Sequence, residues 1–472
     1  MNQENTGRLQ AILCPAARRV AYRNGGISRD DVPVLKRHWQ IHQAHALMLI
    51  ESGIEAEAAR RVLEALTEQE NNGFTALMGR LTPRGLYLAC ESWLFEAIGP
   101  AAGVLHTGRS RNDLNATEQR LAARAAWRTV TGQLLRLAQT MALQARRYRD
   151  VPMPLHTHYQ PAVISTYGHW LAGCAEGILR LHARALAELP HLNLCPMGAA
   201  AIGGTSHPIN PGITAQLLGF AQPCRNSVDA IAAKDHLLAM MGLAVGAAHL
   251  ISRIVQDYRF RTSSELGWFF LPDQLTGGSS VLPQKKNPWL LELAIARLAR
   301  VYGSQTSFYV SSFAEPHTNT IPAGAEALGG LEQSIQGLSD AILLLRLHVR
   351  YLEPRIAILR TACCKGYPFA QALAEELARR GRTARAAHHE IGALIRQAVE
   401  GGSADNEPLV AARFLDPDCL AYGGGAGGST SADSPTLEDL IISQSKLRQS
   451  AIAQWKRARE DLYARARNSP PP

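Results

Sequence analysis

The fold is decided by the stretch from Leu114 to Tyr148, LNATEQRLAARAAWRTVTGQLLRLAQTMALQARRY, which contains no proline. Its apolar side chains recur at intervals of three and four residues, at Trp127, Val130, Leu134, Leu137 and Met141. This spacing places them on one face of a helix. At a rise of 1.5 Å per residue, a helix over this stretch is about 50 Å long, which suits the spine of a helical bundle.

Similar stretches follow, divided by short separators rich in Gly, Pro, Asn and Ser. Helices are predicted at Ala162 to Leu189, Asn226 to Arg261, Pro288 to Phe313 and Glu326 to Arg350. Asn287 and Pro288 suit the cap and the first residue of the third of these. No alternating run of Val, Ile and Thr indicates a sheet. The sequence therefore predicts an all-α protein with a central bundle of about five long helices.

Three domains follow from this arrangement. An N-terminal helical domain spans 1–105, the central bundle spans 106–350, and a C-terminal helical domain spans 351–472. In the last domain, the segment from Gly423 to Asp433, GGGAGGSTSAD, predicts a flexible loop. The proline-rich tail at 470–472 predicts disorder.

The composition excludes several classes of protein. The 472 residues are 46% hydrophobic and 19% charged, which excludes a disordered or collagen-like chain. The longest apolar run, Leu237 to Ala248, is too short to cross a bilayer. The polar opening from Met1 to Gly7 has no signal-peptide character. We therefore expect a cytoplasmic protein that does not bind a membrane.

The net charge of +9 comes mainly from arginine, yet it does not favour a nucleic-acid partner. Arginines lie beside glutamates along helical stretches, as in Arg379 to Arg385 after Glu375 and Glu376. Such patterns are typical of solvated helix faces. Eight cysteines without a CxxC pair resemble neither a disulfide framework nor a zinc site, so reduced thiols and no metal are expected.

Three segments carry residues suited to chemistry, and the first is His106 to Asp113, HTGRSRND, directly before the long helix. Its glycine allows a tight turn. Donors to an anion come from the free amides of the helix start and from Ser110, Arg111 and Asn112. A carboxylate fits there. The alternative is an ordinary helix cap that happens to carry two arginines.

The second segment runs from Pro152 to Gln160, PMPLHTHYQ, before the next predicted helix. Thr157 and His158 could present a hydroxyl and an imidazole to a ligand from an extended turn. A single histidine is more often structural, so this segment alone indicates little.

The third segment is the loop from Thr276 to Pro288, TGGSSVLPQKKNP. It joins two glycines and two serines to Lys285 and Lys286, in a chain that has only seven lysines. A lysine pair in a mobile loop at a helix start concentrates positive charge. The GxxxxGK[ST] spacing of a phosphate-binding loop is absent, and the alternative is a solvated loop.

Together the three segments resemble the argininosuccinate lyases of the fumarase/aspartase superfamily. HTGRSRND is similar to that family's motif residue for residue, and MPLHTHYQ at 153–160 resembles MPGYTHLQ. GGSSVLPQKKNP at 277–288 resembles the signature GSSxMxxKxN, with Leu282 in the Met position. The resemblance implies the superfamily's three-domain, all-α fold with a central bundle of long helices.

The resemblance also implies a carbon–nitrogen lyase that eliminates fumarate from an N-substituted aspartate, releasing an amine or guanidine, or runs in reverse. A Cβ proton beside a carboxylate is weakly acidic, because its removal adds charge to a group that is already negative. Cationic and hydrogen-bonding groups must stabilise that charge. By the family pattern Ser279 is the base, and Lys285 and Asn287 hold the doubly charged intermediate. No metal or organic cofactor is implied.

The same pattern assigns the other site residues. His158 matches the family histidine and is the candidate for protonating the leaving nitrogen. Glu292 matches the carboxylate that polarises this histidine, although taken alone it would be an ordinary exposed helix residue. The substrate-binding residues implied are Ser110, Arg111, Asn112, Thr157, Gln160, Ser280 and Asn287.

Helix geometry leads independently to an oligomer. The 106–113 segment begins the long helix and the 152–160 segment follows its end, so within one chain they lie about 50 Å apart. If all three segments serve one dicarboxylate substrate, they come from different copies of the chain. This predicts a homo-oligomer with shared sites. The family, whose members form tetramers with each site built from three subunits, agrees.

The chain departs from the family pattern where the arginine moiety is recognised. Ile41 and His42 replace a Gly-Ser pair, and Tyr87 stands where a His is expected. By gapless alignment, a Tyr, a Gln and a Lys are replaced by Asn319, Gly324 and Ala327. Loss of hydrogen-bonding groups from a polar pocket costs discrimination heavily. Our hypothesis is another N-substituted aspartate as substrate, with a leaving group that could be an unusual nitrogen such as nitrite or a hydrazine.

Three alternatives stay open. One is a true argininosuccinate lyase of arginine biosynthesis. Another is a catalytically silent, crystallin-like structural homo-oligomer, against which the intact Ser279, Lys285, His158 and Glu292 argue. The third is a nucleic-acid binder, which weak salt dependence of any binding would dismiss.

Overall fold

The computed structural model describes residues 14–21, 26–80, 86–320, 327–401 and 436–468. Within those residues the regular structure is almost entirely helical, which confirms the all-α prediction. The helices are α1 (Pro15–Ala21), α2 (Val32–Glu51), α3 (Ala56–Asn71), α4 (Leu86–Ile98), α5 (Arg111–Arg147), α6 (Tyr167–Ala187), α7 (Leu189–Leu192), α8 (Pro211–Leu217), α9 (Ser227–Ala232), α10 (Asp235–Arg261), α11 (Trp289–Phe313), α12 (Ala327–Tyr351), α13 (Ile356–Cys364), α14 (Ala370–Arg379), α15 (Ala384–Glu400) and α16 (Leu437–Arg467). The short strands are β1 (Pro152–Thr157), β2 (Gln160–Thr166), β3 (Leu194–Cys195), β4 (Gln222–Pro223), β5 (Phe269–Phe270) and β6 (Glu353–Pro354). The predicted loop from Gly423 to Asp433 and the tail at 470–472 lie outside the described residues.

Helix α5 is the long helix that the apolar periodicity predicts, and it runs for 37 residues. Ser110 caps its first turn, because Ser110 Oγ accepts a hydrogen bond from the Asn112 amide (3.3 Å) and Asp113 accepts one from the Ser110 amide (2.9 Å). At 1.5 Å per residue α5 is about 55 Å long. Its two ends therefore lie far apart in one chain.

Four other long helices complete the central bundle, as predicted. Helices α6, α10 and α12 pack against α5, and α11 packs against α10 and α12. The polar atoms of three buried aromatic side chains form hydrogen bonds inside this core. Trp127 Nε1 donates to the Ala185 carbonyl (2.5 Å), and the Tyr167 and Tyr258 hydroxyls lie 2.8 Å apart. The bundle thus has one continuous hydrophobic core.

Helix α10 is also long and apolar enough to cross a membrane, with 27 residues and a mean hydropathy of 1.7 over its most apolar window. Half of that window is buried within the protein, and Met240, Ala244 and Ile251 lie in the bundle core. A core helix meets the same criteria, so the length and hydropathy of α10 are weak support for a membrane span.

A second core lies between α2, α3, α4 and the start of α5, with Trp39, Leu63 and Leu77 fully buried. Helix α16 contributes Leu462 to this second core and Ala451 to the bundle core. The C-terminal helix therefore packs along both units. The domain boundaries at 105/106 and 350/351 stay a prediction.

Three local predictions are wrong. Residues from Gln160 to Thr166 form β2 of an antiparallel hairpin with β1, so α6 begins at Tyr167 and not at Ala162. The helix predicted from Asn226 is divided, because Ala233 adopts an extended conformation between α9 and α10. Asn287 does not cap α11: Pro288 precedes the first helical residue without a side-chain cap, and Asn287 Nδ2 instead donates to the Gly278 carbonyl (3.4 Å).

Candidate active site

The 106–113 segment is held in place by the carboxylate of Asp113, which is fully buried. This carboxylate accepts hydrogen bonds from the amides of Ser110 (2.9 Å), Gly198 (3.2 Å) and Ala200 (2.9 Å). Burial raises the pKa of Asp113 to about 6, although its amide donors favour the charged form. Asp113 therefore joins the start of α5 to a loop 85 positions further along the chain. Sequence reasoning did not assign it, but the Ser-x-x-Asp capping pattern was visible.

Among the binding residues predicted in this segment, Arg111 is exposed and Ser110 and Asn112 are half-buried. Asn112 Nδ2 donates to the Ala201 carbonyl (2.8 Å), and Asn112 Oδ1 accepts from Asn319 Nδ2 (3.0 Å). Asn319 lies between α11 and α12, in the stretch that departs from the family pattern. Of the other two replaced positions, Gly324 lies outside the described residues and Ala327 begins α12.

A polar network runs from the buried Arg109 and His42 to the exposed His106. Arg109 Nη1 donates to His42 Nδ1 (2.9 Å), and the guanidinium lies 6.0 Å from the centroid of the Tyr87 ring. The Tyr87 hydroxyl lies 3.0 Å from the ring nitrogens of His106, and His106 Nε2 lies 2.5 Å from Glu91 Oε1. Burial lowers the pKa of His42 and raises the pKa of Tyr87 to about 12. Both departures from the family pattern, His42 and Tyr87, thus contact this segment.

The 152–160 segment forms β1 and the tip of the hairpin. The two turn residues, His158 and Tyr159, adopt positive φ angles of 52° and 61°. Two-residue turns of this kind strongly prefer Asn and Gly, and unfavourable backbone conformations concentrate at functional sites. Thr157, His158 and Gln160 are exposed at the tip, and the Tyr159 ring packs 5.5 Å from that of Phe260. The predicted hydroxyl and imidazole therefore point away from the hairpin's own core.

The 276–288 loop is closed at its base by a pair of backbone hydrogen bonds between Gly277 and Asn287, each 2.9 Å long. Inside it, Ser279 Oγ accepts hydrogen bonds from the amides of Leu282 (3.0 Å) and Val281 (3.4 Å). A glycine is required at 277, because a Cβ there would lie 2.3 Å from the Trp289 ring. The loop therefore places a half-buried serine hydroxyl against two N–H donors.

The other polar side chains in and after this loop differ in exposure and in their partners. Lys285 and Ser280 are exposed, whereas Lys286 pairs with Asp273 and lies over the Phe270 ring. Glu292, on the first turn of α11, lies 3.8 Å from Arg259 of α10. Within the described residues no hydrogen bond or ion pair joins Glu292 to His158 of the same chain.

The candidate residues occupy both ends of the bundle. Ser279 lies before the start of α11, and Asn319, which contacts Asn112, lies beyond its end. Between the two in the sequence stands α11, whose 25 residues span about 37 Å. Across the described ranges, no hydrogen bond or ion pair joins the 276–288 loop to the 106–113 segment or to the hairpin tip. One chain therefore does not bring all the candidate residues together.

Metal-binding side chains are not clustered in the described residues, which contain no group of three or more His, Cys, Asp or Glu able to hold an ion. The donors of the candidate site are hydroxyls, amides, guanidinium and ammonium groups, which bind carboxylates. The arrangement suits an anionic organic substrate.

The sequence profile of a lyase family matches residues 27–303. The chain belongs to this family. The lyase is 33% identical over 361 residues to the argininosuccinate lyase of Azotobacter vinelandii, covering 76% of this chain and 78% of that protein. It is 34% identical over 375 residues to the argininosuccinate lyase of Thermus thermophilus, covering 78% and 80%. These relatives identify a carbon–nitrogen lyase and confirm the resemblance read from the three segments.

Solved structures of similar shape support the same fold. A variant of EDDS lyase with bound fumarate matches with a TM-score of 0.81 at 23% identity, covering 100% of both chains. EDDS lyase in complex with formate matches with a TM-score of 0.74 at 24% identity, covering 96% and 93%. A class II fumarase from Schistosoma mansoni matches with a TM-score of 0.67 at 17% identity, covering 85% and 92%. The lyase therefore has the fumarase/aspartase fold.

Proposed function

We propose that this lyase eliminates fumarate from an N-substituted aspartate, with Ser279 as the base that removes the Cβ proton. The proton passes to the ionised serine oxygen, which becomes a hydroxyl, while the electron pair forms an aci-carboxylate. The carbon–nitrogen bond then breaks with its electrons going to nitrogen. A proton delivered to that nitrogen completes the release of an amine or guanidine. The reverse reaction adds the same nitrogen group to fumarate.

The observation that carries this proposal is the pair of amide donors at Ser279 Oγ, at 3.0 and 3.4 Å. A neutral serine hydroxyl is a very weak base, so the base is the serine oxyanion, which forms only where its negative charge is stabilised. Two N–H groups aimed at the oxygen stabilise negative charge there without needing to reorganise. The exposed ammonium of Lys285, in the same loop, is free to approach the substrate carboxylate and support the aci-carboxylate.

The residues of the other two segments are assigned to substrate binding and to protonation of the leaving nitrogen. Arg111, Ser110 and Asn112 lie at the start of a long helix, where a carboxylate is favoured by the helix dipole and the free amides. Thr157 and Gln160 flank His158 on the exposed hairpin tip. In this proposal His158 of one subunit protonates the leaving nitrogen, and Glu292 of another orients it. Sharing between subunits accounts for the lack of a hydrogen bond or ion pair between the two residues in one chain.

The leaving group is proposed to differ from arginine. The positions that depart from the family pattern now bond within the protein: His42 accepts from Arg109, and Asn319 donates to Asn112. Argininosuccinate is the second candidate substrate, favoured by two relatives named argininosuccinate lyase at 33% and 34% identity.

The test follows fumarate absorbance while the protein is incubated with argininosuccinate and a panel of other N-substituted aspartates. The altered pocket is supported if another compound of the panel is turned over much faster than argininosuccinate. Efficient turnover of argininosuccinate alone overturns that part. No fumarate from any substrate, with an intact oligomer, favours the crystallin-like alternative.

The role of Ser279 is tested separately. Ser279→Ala should lower kcat by about 10²–10⁴-fold, the range for general acid–base groups, without changing the unfolding midpoint. The matched control is Ser443→Ala, which truncates an exposed serine of α16. Equal activity of Ser279→Ala and the control would refute the base assignment.

A further inference from the structure

The side-chain amide of Asn112 is bonded by two segments that are remote in sequence. Its Nδ2 donates to the Ala201 carbonyl at 2.8 Å, and its Oδ1 accepts from Asn319 Nδ2 at 3.0 Å. Ala201 lies in the loop that precedes α8, and Asn319 lies in the stretch between α11 and α12. The start of α5 is therefore linked through one amide to both neighbouring segments.

These two bonds determine which way the Asn112 amide faces. If the amide rotated by 180°, its NH₂ would face the Asn319 NH₂ and its oxygen would face the Ala201 carbonyl. Rotation of Asn319 could repair its own contact but not the one between the Asn112 oxygen and the Ala201 carbonyl, so only the observed orientation satisfies the two partners. The Ala201 carbonyl alone leaves the oxygen of Asn112 without a fixed partner. Asn319 supplies the second constraint.

The orientation decides what Asn112 can offer to a substrate. An amide has two N–H donors and two acceptor positions on its oxygen. One of each is used inside the protein, so one N–H and one acceptor position are left at this half-buried residue. A substrate that uses both must bring a carboxylate oxygen for the N–H and its own N–H for the carbonyl.

We propose that Asn319 is a positioning residue that fixes the amide of Asn112, and that this amide selects substrates whose leaving nitrogen carries at least one hydrogen. The inference rests on the proposed function, in which Asn112 binds substrate. It points to amines, guanidines and hydrazines as leaving groups. It excludes a nitro group, which has no N–H to donate.

A double-mutant cycle tests the positioning role. Asn112→Ala, Asn319→Ala and the double variant are compared for kcat/KM with the best substrate of the panel and for the Kd of fumarate by calorimetry. Each single variant should lose about five- to tenfold, the worth of one hydrogen bond. If Asn319 acts through Asn112, the double variant loses no more than Asn112→Ala. If the loss in the double variant equals the product of the losses in the two single variants, the proposal is overturned.

Two further variants separate positioning from folding. Asn319→Asp keeps the shape of the side chain but replaces the donor with an acceptor, so neither orientation of Asn112 satisfies both partners. It should lose at least as much kcat/KM as Asn319→Ala with an unchanged unfolding midpoint. Asn72→Ala, at an exposed asparagine after α3, is the control for the substitution itself and should change nothing. Full activity of Asn319→Asp contradicts the proposal.

The substrate class is tested in both directions. Hydroxylamine, hydrazine and methylamine are each added to fumarate, and 2-nitrosuccinate is offered for elimination. Turnover restricted to the N–H-bearing compounds supports the selection, and efficient release of nitrite from 2-nitrosuccinate overturns it. If no compound reacts but the cycle shows coupling in the Kd of fumarate, the positioning role stands and the proposed reaction fails.

Discussion

The carboxylate of Asp113 shows how one residue can hold a candidate site together. It is the third residue of α5 and closes the capping box, a role that the Ser-x-x-Asp pattern predicts. Its bonds to the amides of Gly198 and Ala200 could not be predicted, because the chain returns to it only after 85 positions. A buried acceptor with three donors is costly to lose, since each unpaired buried amide costs about 1–3 kcal/mol.

The raised pKa of Asp113 predicts how stability should depend on pH. Its pKa in the folded protein is about 6, above the ordinary 3.8, so the folded state binds this proton more tightly than the unfolded state. The stabilisation is therefore complete below about pH 4 and is lost as the pH rises through about 6. The measurement is the free energy of unfolding in urea at pH 4.5 and pH 7.

The matched variant for this measurement is Asp113→Asn, which cannot ionise. The wild type should lose stability between the two pH values by about 1–3 kcal/mol more than this variant, since one pKa unit is worth about 1.4 kcal/mol. All other titrating groups are common to both proteins. Parallel pH profiles would show that the pKa of Asp113 is not raised.

The helices of the bundle could be predicted from the sequence, whereas the hairpin at its end could not. Helix α5 runs from Arg111 to Arg147, within three residues of the predicted stretch, because a long apolar stripe and a proline-free interior leave few alternatives. The hairpin gives no such signal. Its strands are short, and its turn is built from His158 and Tyr159 instead of the usual Asn and Gly.

Substitutions in the hairpin turn can distinguish the backbone conformation of His158 from the chemistry of its imidazole. Asn tolerates positive φ well, so His158→Asn should preserve the turn while removing the imidazole. We expect kcat to fall by about a hundredfold, the scale of a general acid, with an unchanged unfolding midpoint. Tyr159→Gly relaxes the neighbouring turn position but leaves His158 intact. It should keep most activity, and a comparable loss in both variants would mean that only the turn geometry matters.

At the scale of the whole molecule, the separation of the candidate residues is the main structural fact. Asn112 contacts Asn319 beyond the end of α11, and Ser279 lies before its start; the 25 residues of this helix span about 37 Å. A four- or five-atom side chain cannot bridge that distance. If both residues serve one substrate, the second comes from another copy of the chain, and the complete site exists only in a homo-oligomer. The predicted tetramer is one such assembly.

A shared site predicts that two impaired variants restore activity when their subunits mix. Ser279→Ala and Asn112→Ala are each expected to be impaired, but a site that takes its serine from one variant and its asparagine from the other is intact. If subunits assort at random, each correct choice has a chance of about one half, so about a quarter of the sites recover. The mixture is unfolded in urea, refolded together and assayed for fumarate formation.

Ser279→Ala mixed with Lys285→Ala is the matched control, because both residues lie in one loop and a site that takes both from a single subunit always carries one defect. No recovery in either mixture would place Ser279 and Asn112 of each site within one chain and remove the reason for the oligomer. Equal recovery in the two mixtures would refute the assignment of Ser279 and Lys285 to the same subunit's loop in each site.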